Sequence, residues 1–224
     1  MEPSRNLIKS IKWYLLDIIF PEACLGCKNR GESLCNQCIL KIRNTERETD
    51  KNIMAVYDYR DPLIKKAIWD LKYHHRLNLG KKLGAMLYEF FLEEIANMEA
   101  YTKGQSILVI PVPLSRHREK ERGYNQAQII AYGLSSSGEK GLFELNNNIV
   151  VKKFDTKPQA KIANRRERLL NVKNIFEIRK NKTVKGRTIL VIDDVTTTGG
   201  TINEIIKILK KGGAKKVVGF ALAH

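Results

Sequence analysis

Two aspartates, Asp193 and Asp194, close the apolar run ILVIDD, and a loop of threonine and glycine follows before the helical pattern of INEIIKIL begins. Glycine lets a backbone approach a ligand closely, and a helix start offers unpaired N–H groups and the positive end of the dipole. The hydroxyls of Thr196, Thr197, Thr198 and Thr201 add further donors. A loop of this chemistry suits a terminal phosphate. It is neither a Walker loop, for want of Gly-Lys-Ser/Thr, nor the glycine fingerprint of dinucleotide sites. Carboxylates in contact with a phosphate would repel it, so Asp193 and Asp194 must meet another part of the ligand, and hydroxyls are their natural partners. A ribose bearing a 5′-phosphate presents both ends at a fitting separation.

Four cysteines form a second chemical group. Cys24, Cys27, Cys35 and Cys38 stand as C-x2-C-x7-C-x2-C. Two such turns each offer a pair of thiolates and together complete a closed tetrahedral site for structural zinc. Redox-active thiols are the alternative. Gly26 and Gly31 supply the tight turns. A third group, Ser115, Arg116, His117, Arg118 and Arg122, follows an apolar strand in PVPLSRHREKERGYNQAQ; its arginines could meet an anion bidentately, and, because Glu119 and Glu121 alternate with the basic residues, a solvated charge run is the alternative.

The chain that must position these groups has 224 residues, 43% of them apolar, which suits one substantial core and a small appendage. Its formal charge is +16, unevenly spread: 22 basic and 18 acidic residues lie in 1–150, against 18 and 6 in 151–224. Such a field favours polyanionic partners. The basic segment with Lys152, Lys153, Lys157, Arg165, Arg166 and Arg168 is a candidate grip on nucleic-acid phosphates, with Phe154 and Phe176 for base stacking. NLIKSIKWYLLDIIF reads as an amphipathic helix too often interrupted by charge to span a bilayer. It suits packing on the protein or, as the alternative, a membrane surface.

Patterning predicts strands at 54–59, 106–113, 149–153, 187–194 and 215–223. Helices are predicted at 62–74, 77–98, 124–134, 161–170 and 200–209, with Lys41–Asn52 as a linker or helix end leading out of the cysteine module. Alternation of this kind implies an α/β fold with a mostly parallel, doubly wound sheet, whose ligands sit beyond the carboxyl ends of the strands. The expected division is 1–50 for the N-terminal helix and zinc knuckle, and 51–224 for the main domain. Trp13 and Trp69 are read as core. His74 and His75 are read as complementing a helix dipole, with metal or phosphate binding as the alternative.

VIDDVTTTGGT resembles the phosphoribosyl-diphosphate (PRPP) loop of type I phosphoribosyltransferases. The resemblance implies that Asp193 and Asp194 hold the ribose 2′ and 3′ hydroxyls. It implies a 5′-phosphate cradle of Val195, Thr196, Thr197, Thr198, Gly199, Gly200 and Thr201. Ser115, Arg116, His117 and Arg122 would meet the diphosphate, and Mg²⁺ would bridge ribose and diphosphate oxygens.

The order of blocks is narrower than that superfamily. A cysteine knuckle, then PVPL…RGYNQA, then KPQAKIANRRERLLNV, then VIDDVTTTGGT resembles the competence protein F family from Cys24 nearly to His224. The middle block supplies Gln159, Arg165, Arg168, Asn171 and Val172, and Tyr124 stands where the family more often has Phe. The resemblance implies a type I phosphoribosyltransferase fold carrying a zinc knuckle. It implies a cytoplasmic protein of DNA uptake during natural transformation, with PRPP, single-stranded DNA and membrane-associated uptake proteins as partners. An active phosphoribosyltransferase of nucleotide metabolism or salvage is the alternative; neither catalytic residue nor acceptor is assigned.

Overall fold

A computed structural model describes residues 22–46, 52–153, 174–179 and 184–224. The chain divides into two compact units, Met1–Ile42 and Arg43–His224. The N-terminal helix expected before Pro21, the basic helix expected at 161–170, Trp13 and Phe154 lie outside the described residues. Among the described residues, no helix is long and apolar enough to cross a membrane.

In the first unit the chain turns at Cys24, where the N–H of Lys28 donates to the carbonyl of Cys24 at 3.0 Å and Ala23 bridges Arg30. Left-handed backbone falls at Lys28 (φ 68°) and Gly31 (φ 117°), so the first turn takes its special conformation at a lysine and not at Gly26. One helical turn, α1 (Asn36–Ile39), follows Cys35. Leu34 and Cys24 are buried.

The second unit holds a five-stranded, wholly parallel sheet. Its strands are β1 (Ile53–Tyr57), β2 (Ile107–Pro111), β3 (Phe143–Leu145), β6 (Thr188–Val195) and β7 (Lys216–Ala223), in the order β1-β7-β6-β2-β3. A separate antiparallel hairpin joins β4 (Val150–Lys152) to β5 (Phe176–Ile178). Helices α2 (Pro62–Tyr73), α3 (Leu77–Phe90) and α4 (Leu92–Glu99) lie between β1 and β2. Next come α5 (Arg116–Arg122) and α6 (Gln126–Ser137), and α7 (Gly200–Lys211) joins β6 to β7.

Strand side chains alternate between faces. Leu108, Ile110, Ile189, Val191 and Val217 share a core with Ile202, Ile205, Ile206 and Leu209 of α7 and with the hairpin residues Val150 and Phe176. Phe220, of opposite phase, turns to the other face, where its ring stacks on that of Phe91 at 4.1 Å between centroids. That contact explains one departure from the expected helix at 77–98. Phe91 leaves helical geometry (φ −105°, ψ 24°) to reach the sheet, so the segment breaks into α3 and α4.

Two expectations of burial are corrected. Trp69, read as core by residue type, is 50% exposed, because its phase on α2 lies off the stripe of Ile64, Ala67, Ile68 and Leu71 that is buried. Phe176, read as a base-stacking ring, is 4% exposed within the α7 core and has no face to offer.

Helices α3 and α6 meet backbone to backbone. A Cβ on Gly84 would stand 2.1 Å from the carbonyl oxygen of Ile130, and one on Gly133 would stand 2.2 Å from that of Lys81. Alanine usually improves a helix by about 1 kcal/mol over glycine, but overpacking against rigid backbone costs about 1–3 kcal/mol or more. Gly84→Ala is therefore expected to destabilise the fold by about 2 kcal/mol net in urea denaturation. A neutral or stabilising result would show that the helices separate freely.

Candidate functional site

Strands β2 and β6 are neighbours, with Pro111 opposite Ile192 and the N–H of Val112 donating to the carbonyl of Ile192 at 2.8 Å. Their onward connections leave in opposite directions: β2 passes through α6 to β3 on one side, and β6 through α7 to β7 on the other. Right-handed crossovers of opposite direction place their helices on opposite faces and open a crevice at the carboxyl ends between the two strands. The two loops picked out by their chemistry both start there.

At the end of β6, Asp193 pairs with Ala221 of β7 and Val195 with Ala223, and the N–H of Thr196 donates to the carbonyl of Ala223 at 2.9 Å. The acid pair thus stands just before Val195, the last paired residue, where the strand passes from buried to half-buried. Thr196 is buried, Thr197 exposed, and Thr198, Gly199, Gly200 and Thr201 half-buried. The loop turns into α7 at Gly199, whose φ of 71° is left-handed. Its carbonyl accepts the first helical bond, from the N–H of Asn203 at 2.8 Å. A Cβ on Gly199 would also meet the Ile53 side chain at 3.0 Å.

The aspartates differ in electrostatics. Burial, and then the charge of Asp194, push Asp193 well above the usual carboxylate range. Asp194 is also pushed up by burial, but the ammonium of Lys72 forms an ion pair with its Oδ2 and holds it below the usual value. The Asp193 carboxylate accepts the N–H of Asp194 at 2.9 Å. Acid therefore delivers its first proton to Asp193, while Asp194 keeps its charge. Lys72 is a site residue that sequence reasoning missed. It belongs to α2, far from Asp194 along the chain, and nothing in its local pattern marks it.

The second loop differs from expectation in form. Ser115 is buried, and its hydroxyl accepts the N–H of Arg118 at 3.4 Å, capping the short helix α5 where an open loop was expected. Apolar periodicity could not reveal α5, because it buries no side chain. Arg116 and His117 lie exposed on it. Arg122, half-buried, donates to Gln126 at 2.8 Å and lies over the ring of Tyr73 at 5.4 Å. Asn125, buried and also unanticipated, donates to the carbonyl of Val112 at 2.9 Å and accepts the N–H of Ala127 at 3.0 Å. It thereby ties the exit of β2 to the start of α6. The Tyr124 hydroxyl donates to the carbonyl of Leu71, joining the same loop to α2.

Of the basic residues picked out for nucleic acid, Lys152 closes β4, and Lys153 pairs with Glu177 at 3.5 Å across the hairpin. Lys157, Arg165, Arg166 and Arg168 lie outside the described residues, as do Gln159, Asn171 and Val172. His74 ends α2 with its Nδ1 3.4 Å from Asp70, and His75 takes a left-handed φ of 54°. A groove of about 400 Å³, lined by Tyr88, Ile95, Thr102 and Leu142, lies by the amino ends of β2 and β3, whereas the acid pair lies at the carboxyl end of β6.

In the first unit, the sulfurs of Cys24, Cys27, Cys35 and Cys38 all fall within 4.8 Å of one another, a possible metal site. Cys24 and Cys27 each stand 3.7 Å from Cys35. Zinc–sulfur bonds of about 2.3 Å place tetrahedral thiolates about 3.8 Å apart, so the set fits zinc. Although burial opposes ionisation of Cys24, backbone N–H groups of Cys35, Cys27 and Gly26 bring its pKa down to about 6. Burial, and then its sulfur neighbours, push Cys38 up to about 12. Four sulfurs this close could all ionise only with a cation to share their charge.

The sequence family described as phosphoribosyl transferase domain matches residues 121–224. The chain is 39% identical over 235 residues to Competence protein ComFC of Bacillus subtilis, spanning 96% of this chain and 90% of that one. It is 29% identical over 217 residues to Competence protein F of Haemophilus influenzae, 90% of each chain being covered. It is 30% identical over 204 residues to the DNA utilization protein YhgH of Shigella flexneri, covering 87% of this chain and 85% of that one. The parallel sheet is that of a phosphoribosyltransferase domain, carried with an N-terminal four-cysteine cluster.

The Lys72–Asp194 pair sets a pH signature. Asp194 ionises more readily in the folded chain than in the unfolded one, so the stability it contributes is present above the ordinary aspartate value and is lost as pH falls through the lower folded value. Lys72→Gln is expected to cost about 1–3 kcal/mol at neutral pH, with the gap to wild type closing as acid titrates Asp194. Urea denaturation across a pH series reads this. A gap that stays constant with pH would mean that Lys72 acts through packing alone.

Proposed function

The chain belongs to the competence protein F family, and from that premise we propose that it binds PRPP with Mg²⁺ in the crevice between β2 and β6, in the service of DNA uptake during natural transformation. The cytoplasm, where PRPP and incoming single strands meet, is the proposed site of action, with membrane-associated uptake proteins as its neighbours. The observation that carries this reading is the adjacent pair Asp193 and Asp194 at a strand end, followed by a left-handed Gly199 opening α7.

Each part of the ligand finds a fitting group. A diol hydroxyl both donates and accepts. Asp194, ionised, accepts, and Asp193, the readier of the two to hold a proton, can donate. The 5′-phosphate fits the turn from Val195 to Thr201, whose backbone and hydroxyl donors stand at the dipole-positive end of α7. Ser115, Arg116, His117 and Arg122, at the exit of the neighbouring strand, are assigned the diphosphate end. Lys72 answers an electrostatic problem: two carboxylates beside a polyanion would weaken binding, and its ammonium cancels one of them.

Cys24, Cys27, Cys35 and Cys38 are assigned to structural zinc. Four thiolates leave it no open position, and its binding supplies folding free energy on the order of 10 kcal/mol to so small a unit.

Two measurements test these assignments. In isothermal titration with PRPP and Mg²⁺, wild type is expected to release heat and Asp193→Asn/Asp194→Asn to lose it; equal binding by the double variant would remove the ribose assignment. Metal analysis of the purified full chain is expected to find stoichiometric zinc, lost with Cys35→Ser. A chain that is fully folded and free of zinc would overturn the zinc assignment.

A further inference from the structure

Helix α2 has an outward stripe that the core does not explain and that meets the crevice only where Tyr73 lies under Arg122. Lys65, Lys66, Trp69 and Tyr73 are exposed at helical spacing, while Ile64, Ala67, Ile68 and Leu71 are buried. Trp69 and Tyr73 are each 50% exposed, although large aromatic side chains are among the groups that gain most from burial. The rings are held in order. Trp69 and Tyr73 lie 5.6 Å apart, His74 meets Trp69 edge-on at 4.5 Å, and Arg122 covers Tyr73 at 5.4 Å. The same helix delivers Lys72 to Asp194, so this surface adjoins the crevice.

We propose that Trp69 and Tyr73 form a stacking platform for the bases of a single-stranded nucleic acid, with Lys65 and Lys66 meeting its phosphates. The proposal rests on the reading that the protein handles single strands, and it gives them a location distinct from the basic segment beginning at Lys152. Stacking of a base on an aromatic side chain is worth about 1–3 kcal/mol, less than the roughly 4 kcal/mol that millimolar binding requires. One open face therefore cannot retain a free base, whereas a strand adds phosphate contacts and a second stack. A duplex keeps its base faces covered. Helices that lie on membranes join rings to aliphatic side chains. The exposed positions of α2 carry no Leu, Ile, Val, Met or Phe, so a membrane would gain little apolar burial here, whereas the two rings and two lysines match the bases and phosphates of a strand.

The test uses the full chain and a labelled oligothymidylate strand, followed by anisotropy at about 50 mM salt, where phosphate contacts are strong. Trp69→Ala is expected to weaken strand binding about tenfold, Trp69→Phe to keep most of it, and Trp69→Ala/Tyr73→Ala to lose more. Heat of PRPP binding should be the same for Trp69→Ala as for wild type, which also shows that the variant folds. In a Trp13→Phe chain, the strand should quench the remaining indole fluorescence. If wild type binds the strand and the double variant binds it equally, the platform is wrong while single-strand binding stands. If wild type binds no strand, both the platform and the single-strand reading fall. Preferential binding to anionic phosphatidylserine vesicles, lost with Trp69→Ala, would make this a membrane face and overturn the proposal.

Discussion

Parallel strands cannot be joined by a tight turn, so each must be followed by a crossover, and in this chain two neighbouring strands send theirs in opposite directions. The pairing of β2 with β6 is the constraint on which the site depends. Because α6 and α7 diverge from that seam, the ends of both strands are left uncovered at the same edge. Asp193, Asp194 and the Thr196–Thr201 turn arrive there from one strand, and Ser115 to Arg122 from the other. Burial of the strands themselves supplies rigidity: Ile110, Val191 and Ile192 are each at most 1% exposed, so the groups just beyond them are aimed by a packed core.

Compensation of charge is the second theme. Adjacent half-buried carboxylates resist joint ionisation. Here the conflict is resolved by asymmetry, with Lys72 stabilising the charge of Asp194 and Asp193 left as the readier proton holder. The cysteine cluster poses the same problem with sulfur, since its four sulfurs lie within 4.8 Å of one another and Cys24 and Cys38 are driven in opposite directions. A divalent ion would remove the conflict at the cysteines, as a lysine does at the aspartates.

Helix α2 connects the parts of the main unit in an unforeseen way. Its inner stripe is core, Lys72 on its flank reaches Asp194, its carbonyl at Leu71 accepts the Tyr124 hydroxyl, and Tyr73 lies under Arg122. Three contacts of different kinds thus fasten one helix to the crevice. Asp61 fixes its start, accepting N–H groups from Leu63 and Ile64 with one oxygen and from Arg43 with the other. The departure of Trp69 from the expected core follows from its phase on this helix. Residue type suggested burial, whereas helical phase decided exposure.

Much of the fold was legible in the amino-acid order because the signals are local. The strands ILVIP and TILVIDDV are built on the apolar runs ILVIP and ILVI, Pro62 after Asp61 opens α2, and the cysteine spacing marks the four sulfurs that the fold gathers. The acid pair and the threonine loop were likewise readable, since strand, acids, turn and helix are contiguous. What the order of residues could not contain is partnership across the chain. Phe91 breaks a helix to meet Phe220, Asn125 reaches back to Val112, and Lys72 finds Asp194 only because the sheet brings β1's helix to the end of β6. Short elements such as α5 and β3 escaped for a related reason: α5 buries nothing and β3 is three residues long, so periodicity has nothing to register. Local spacing determined which chemistry the chain carries, and the parallel sheet, by choosing neighbours, decided which of those groups face one another.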